Sequence, residues 1–122
     1  MPQVKGCRLV EVNARVADVE STRLFYEEAF EVEVVQDDHG DGHSHLQVVF
    51  GTWPHDEFFL LNFTPEDEPT SFGLLVDDLA DAHSRAVQAG ATELAPPRDL
   101  AGMPRTSCLR DPNGNTVNLY QG

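Results

Sequence analysis

Val76-Asp77-Asp78-Leu79 repeats, 60 residues later, the pattern of Val16-Ala17-Asp18-Val19. An amphipathic segment follows each, ending near Phe30 in the first case and at Gly90 in the second. Ala29 and Ala89 keep the same offset. A fixed internal period marks a duplicated supersecondary unit. Asp18 and Asp78 are each suited to cap a helix, because a carboxylate accepts hydrogen bonds from the free N–H groups of a first turn. Before Asp18, residues 7–16 alternate: Val10, Val12, Ala14 and Val16 share one face, and Leu9, Glu11, Asn13 and Arg15 the other. That period of two is the mark of a half-buried strand.

The rest of the chain completes the two units. Helix one turns Leu24, Phe25 and Ala29 inward, and strands are predicted at 32–36, 43–50 and 58–63, the last apolar on both faces. Pro65-Glu66-Asp67-Glu68-Pro69 reads as a linker. In the second half, the strand at 71–76 is followed by the helix that Gly90 stops, a short strand at 92–95 and a loop at 96–104. A strand at 105–110, the turn Asp111-Pro112-Asn113-Gly114 and a strand at 116–120 close the chain. Residues 1–122 are therefore expected to form one domain of two repeats, about 7–63 and 70–121, since a unit of that size is too small to be comfortable alone.

Composition narrows the function. The chain has 122 residues, 8 Lys and Arg against 21 Asp and Glu, and a net charge of −13. Phosphate binding needs a basic surface, so nucleic acid is disfavoured, as are anionic membranes. Between Leu24 and Ser84 there is no Lys or Arg, while 15 of the acids fall there. Such a block is a solvated surface or an acidic field around a site for a cationic ligand. No apolar run has the length of a membrane helix, and the start lacks a signal peptide's apolar region. Two cysteines, Cys7 and Cys108, without C-x-x-C spacing point to reduced thiols and a cytoplasmic location.

Strand parity selects candidate residues. The face opposite the apolar one carries Glu11, Asn13 and Arg15, then His43, His45 and Gln47, then Ser71, then Thr116, Asn118 and Tyr120. A curved sheet with helices on one side would gather these on its concave side, where a ligand site forms.

Three stretches carry a family resemblance. They are Arg15-Val16-Ala17-Asp18 with Ser21 and Phe25-Tyr26, then Val76-Asp77-Asp78-Leu79 through Ala89-Gly90-Ala91, and Asp111-Pro112-Asn113-Gly114-Asn115 with Leu119. The chain resembles the vicinal oxygen chelate superfamily of glyoxalase I, extradiol dioxygenases, fosfomycin-resistance enzymes and bleomycin-binding proteins. The resemblance implies an α+β fold of paired βαβββ modules, with a curved, mostly antiparallel sheet and helices on its convex face. It also implies a homodimer, with clefts built by one chain or shared by two. Glu31 departs from it, standing where the family often has glycine after helix one; its cost is small if that residue avoids positive φ.

Metal-dependent members of that family place a ligand in each of four strands, and the matching positions here are Glu11, Leu60, Ser71 and Asn118. Leu60 has no donor atom, and Ser71 and Asn118 offer only neutral oxygens, so Glu11 alone is a strong ligand. No metal or other cofactor is therefore expected. His43 and His45 share a strand face, and two ligands do not make a site; one imidazole could instead hydrogen-bond a ligand. Desolvation would make Glu11 a candidate general base. Trp53 could stack on an aromatic or cationic ligand, and Phe58 and Leu60 read as a greasy wall. Cys7 and Cys108 are expected only to pack, and His83 is expected to be a partly buried or surface histidine of helix two.

The expected function is metal-independent binding of a small organic molecule, cationic or aromatic, in the style of the antibiotic-sequestering members. Its site would comprise Glu11, Asn13, His43, His45, Gln47, Trp53, Phe58, Leu60, Ser71, Asn118 and Tyr120. Two alternatives stay open: a glyoxalase-like lyase or isomerase working through Glu11 and a histidine, and a structural or regulatory dimer without a ligand.

Overall fold

The computed structural model of the chain describes residues 6–38, 44–53, 55 and 57–122. The first module runs β1 (Glu11–Arg15), α1 (Val19–Phe30), β2 (Val34–Asp38), β3 (Ser44–Phe50) and β4 (Phe59–Thr64). The second runs β5 (Ser71–Val76), α2 (Leu79–Gln88), β6 (Thr92–Arg98), β7 (Thr106–Arg110) and β8 (Thr116–Gln121). This is the α+β architecture of paired βαβββ modules. The strands form two four-stranded sheets, ordered β1-β4-β3-β2 and β5-β8-β7-β6. In each the first strand pairs in parallel with the last, and the other pairs are antiparallel. Strands β1 and β5 are thus edge strands.

The helix caps are as the repeat predicts. Asp18 accepts from the Ser21 N–H at 2.8 Å and from its hydroxyl at 2.6 Å, which holds the carboxyl below its ordinary range. Asp78 accepts from the Asp81 N–H at 3.1 Å. Helix α1 buries Thr22, Phe25, Tyr26 and Ala29, the i, i+3, i+4, i+7 stripe of an amphipathic helix. Leu24, expected inside, is half exposed, because it lies one step off that stripe, where the buried phenol of Tyr26 fills the interior instead. Glu31 does adopt positive φ, at 56°, as the left-handed cap of α1. The condition for a small cost is therefore not met; its carboxylate reaches Arg85 of α2 at 2.8 Å.

Strand β6 continues through Pro96 and Pro97 to Arg98, past the expected end at Ala95. It is an edge strand with register shifts against β7, and there the missing proline N–H groups cost no central ladder bond.

The modules are locked together by the closing turn. Asp111 is 4% exposed, and its Oδ1 accepts from the N–H groups of Asn113 and Asn115 at 2.9 and 2.8 Å. Its Oδ2 accepts from the Tyr26 hydroxyl of the first module at 2.6 Å and from Asn115 Nδ2 at 3.0 Å. Asn113 Oδ1 accepts from the Ala17 N–H and the Thr22 hydroxyl. Asn115, fully buried, accepts from the N–H groups of Arg15 and Thr70 and donates to the Arg15 carbonyl. A short turn thereby ties the end of β1, the first turn of α1 and the entry to β5. Burial, then the neighbouring Asp111 carboxylate, pushes the Tyr26 phenol well above its ordinary range.

Candidate functional site

Register builds the site on the first sheet. Glu11 lies opposite Leu60, Asn13 opposite Asn62, and Gln47 opposite Asn62 on the other side. These residues share the face turned away from α1. Asn62 is 5% exposed and sits at the centre. It accepts from Gln47 Nε2 at 3.0 Å, and its own Nδ2 donates to Glu11 Oε2 at 3.0 Å and to Asn13 Oδ1 at 3.1 Å. A buried amide thus aims a carboxylate and a second amide on exposed parts of β1. The arrangement offers a fixed negative acceptor beside a neutral polar group, suited to a cationic or hydrogen-bonding ligand.

The expected residues fall into several places. Glu11, Asn13 and Gln47 come together through Asn62, a residue the sequence reading missed. Its signal was a lone amide inside the apolar run 58–63. Leu60 shares their face and is half-buried. His45 is half-buried beside Gln36, Val16 and Pro65, in a shallow recess at the far end of the sheet. His43 lies outside the described residues. Trp53 is 67% exposed in the loop before β4, edge-on to the Phe58 ring with centroids 5.3 Å apart.

Ser71, Asn118 and Tyr120 lie on the second sheet, on the corresponding face. Gly73 there opposes Asn118 as Asn13 opposes Asn62, so Asn118 is the counterpart of Asn62 and not of Leu60. A Cβ at Gly73 would come within 2.9 Å of the Tyr120 ring, so glycine is what lets that ring cross β5. No hydrogen bond among the described residues joins this set to the Glu11 group.

The metal positions carried over from the resemblance do not fit a divalent ion. Exchanging Leu60 for Asn62, the register equivalent of Asn118, still leaves one anionic donor, Glu11, and that carboxylate is already hydrogen-bonded to Asn62. Among the described residues there is no group of three or more His, Cys, Asp or Glu able to hold a metal.

His83 proves to be fully engaged inside the second module. It is 5% exposed, with Nδ1 2.9 Å from Ser107 Oγ and Nε2 2.7 Å from the Glu93 carboxylate. With the carboxylate as acceptor, Nε2 carries a proton and Nδ1 accepts from the serine hydroxyl in the neutral ring. Ser107 is 2% exposed, so no substrate reaches it and the line ties α2 to β6 and β7.

The family model of the glyoxalase-like domain matches residues 11–120, and the chain belongs to that family. No curated protein matches the chain. Among solved structures it is similar to a member of the glyoxalase/bleomycin resistance protein/dioxygenase superfamily from Sphaerobacter thermophilus, with 20% identity and a TM-score of 0.73, covering 98% of this chain and 100% of that one. It is also similar to TnmS3, an antibiotic binding protein from Streptomyces sp. CB03234, with 22% identity, a TM-score of 0.71 and 98% of each chain covered. Glyoxalase I from Zea mays aligns at 19% identity and a TM-score of 0.72 over 94% of this chain, which spans only 44% of the maize protein. These likenesses establish the fold, and with the family match they place the chain in the vicinal oxygen chelate superfamily. Among the described residues no helix is long and apolar enough to cross a membrane.

Proposed function

We propose that this protein binds a small organic molecule, amine-bearing or aromatic, on the polar face of its first sheet and does not transform it. The observation that carries the reading is the Gln47–Asn62–Glu11 line, with Asn13 as its branch. A buried amide orients a carboxylate before any ligand arrives, which cuts the ordering cost of binding. The base-free block from Leu24 to Ser84 adds a negative field that favours a cation. The likeness to TnmS3, an antibiotic binding protein, supports the same reading. A homodimer is part of the proposal: Glu11, Asn13 and Ser71 are exposed in the single chain, and a second copy would turn their faces into a cleft. So is a cytoplasmic setting, in keeping with two free cysteines.

Calorimetric titration with a panel of cationic antibiotics and aromatic amines tests this. Saturable binding tighter than about 1 mM is expected for at least one of them. It should weaken with added salt, and Glu11→Gln should reduce affinity about tenfold, about 1.4 kcal/mol. Absence of binding across the panel, or conversion of a panel member to a product, would overturn the proposal.

A further inference from the structure

The apolar face of the first sheet is not all covered by α1. Towards the start of β1 it ends in a cavity of about 480 Å³. Val12, Phe50, Phe59 and Leu61 form one wall, and residues 71–75 of β5, including Phe72 and Leu74, form the other. Each module therefore contributes a strand-built wall. By register, Val12 and Leu61 point away from the face that bears Glu11, Asn13 and Asn62, so the sheet separates this cavity from the polar group.

The lining fixes the chemistry of an occupant. Among the described residues it includes three phenylalanines and no charged side chain. Burying an unpaired charge there would be costly, so the occupant is uncharged. Among the described residues of the lining Ser71 alone has a polar side chain, and β5 is an edge strand with one row of backbone groups outside the ladder with β8. A ligand with a single N–H or O–H is what these can serve. The volume falls within the range of small-molecule sites. Because Val12, Phe50, Phe59, Phe72 and Leu74 are half-buried, the space is recessed and suits an inserted flat molecule better than a surface laid across it.

We infer that this cavity is a second binding site, for a small, uncharged aromatic molecule carrying one hydrogen-bonding group. It is distinct from the Glu11–Asn62 group, since the first sheet stands between the two. N-phenyl-1-naphthylamine, an uncharged three-ring amine whose fluorescence rises in apolar surroundings, is the probe. Titrated into the full chain, it should give a saturable, blue-shifted signal at one probe per chain, unchanged by salt. Val12→Phe, which fills the space, should weaken the probe at least tenfold. Leu75→Glu, at a rim position that is 74% exposed and safe for folding, should do the same. Val49→Glu, an exposed position on the other face of the sheet, should leave it unchanged. A signal that does not saturate, or that survives both rim and filling variants, overturns the inference. So does a wild-type chain that fails to bind the probe while Leu75→Glu converts a sedimenting dimer to monomer, because the cavity is then an interface between copies.

Discussion

The two modules share a frame and differ on their faces. In the first, Asn62 lies between strands that supply a carboxylate, an amide and Gln47, and it ties all of them together. In the second, its register counterpart Asn118 faces Gly73, with Ser71 two residues along the same strand face, and the Tyr120 ring closes over the glycine. The helices diverge in the opposite sense. Helix α1 turns aromatic rings into its core, with Tyr26 4.8 Å from Phe63 between centroids, whereas α2 buries His83 between Ser107 and the exposed carboxylate of Glu93. Duplication therefore preserved caps, strand order and the crossing of the parallel pair, which depend on backbone geometry. The outward faces were free to part, because nothing in the sheet ladder depends on them.

The largest effect is expected where the modules are joined. Asp111→Ala removes four hydrogen bonds at a buried position, and should cost about 3–5 kcal/mol in chemical denaturation by leaving buried donors unpaired. A cost below that of an ordinary surface substitution would mean the modules are held by apolar packing alone. The same junction has a pH signature. The Tyr26 phenol is raised above its ordinary value near 10, so the folded state holds its proton more tightly than the unfolded state does. The contribution is fully present below about pH 10 and is lost above it, with a slope approaching about 1.4 kcal/mol per pH unit. Tyr26→Phe should remove that alkaline slope in denaturation curves taken from pH 9 to 11.

The contrast between the two faces is sharpened by paired variants. Asn62→Leu should cost about 1–2 kcal/mol of stability and weaken any panel ligand that depends on Glu11 by up to about tenfold. Asn118→Leu, at the equivalent place, should leave that affinity within a factor of about two, since no hydrogen bond links Asn118 to the Glu11 group. Equal losses from both would show that the two faces act as one cleft. Gly73→Ala is expected to displace the Tyr120 ring and to lower stability by about 1 kcal/mol through overpacking, read as a fall in thermal midpoint.

The smallest expected change is a gain. Glu31→Gly relieves a left-handed backbone at a non-glycine residue and gives up an exposed ion pair with Arg85, for a net stabilisation of about 0.5–1 kcal/mol. A loss of stability would assign the Arg85 pair a larger part in holding α1 against α2.

Much of the frame was legible in the residues. The two aspartate caps, the alternation in β1 and the Asp111-Pro112-Asn113-Gly114 turn depend on local rules of spacing, and the structure follows them. The misreadings share a cause in tertiary context. Leu24 and Tyr26 differ by two helix steps, and only the position of the partner module says which side is inside. Pro96 and Pro97 read as loop because their place on a free edge was not visible along the chain. Asn62 looked like part of a greasy strand, since its three partners come from two other strands, 15 to 51 residues away. His83 reads as a partly buried or surface histidine, and Ser107 and Glu93 reach it only once α2 lies on β6 and β7.

By itself, the sequence determined a duplicated βαβββ frame, its caps, its closing turn and a strongly acidic chain. Those properties follow from periodicity, backbone preference and charge, which act over a few residues or over the whole chain at once. The tertiary structure alone decided which polar groups meet at Asn62, how Asp111 joins the modules and where the aromatic cavity lies. Each of these requires strands distant in sequence to be brought within hydrogen-bonding or van der Waals reach, and register between such strands is set by the packed core.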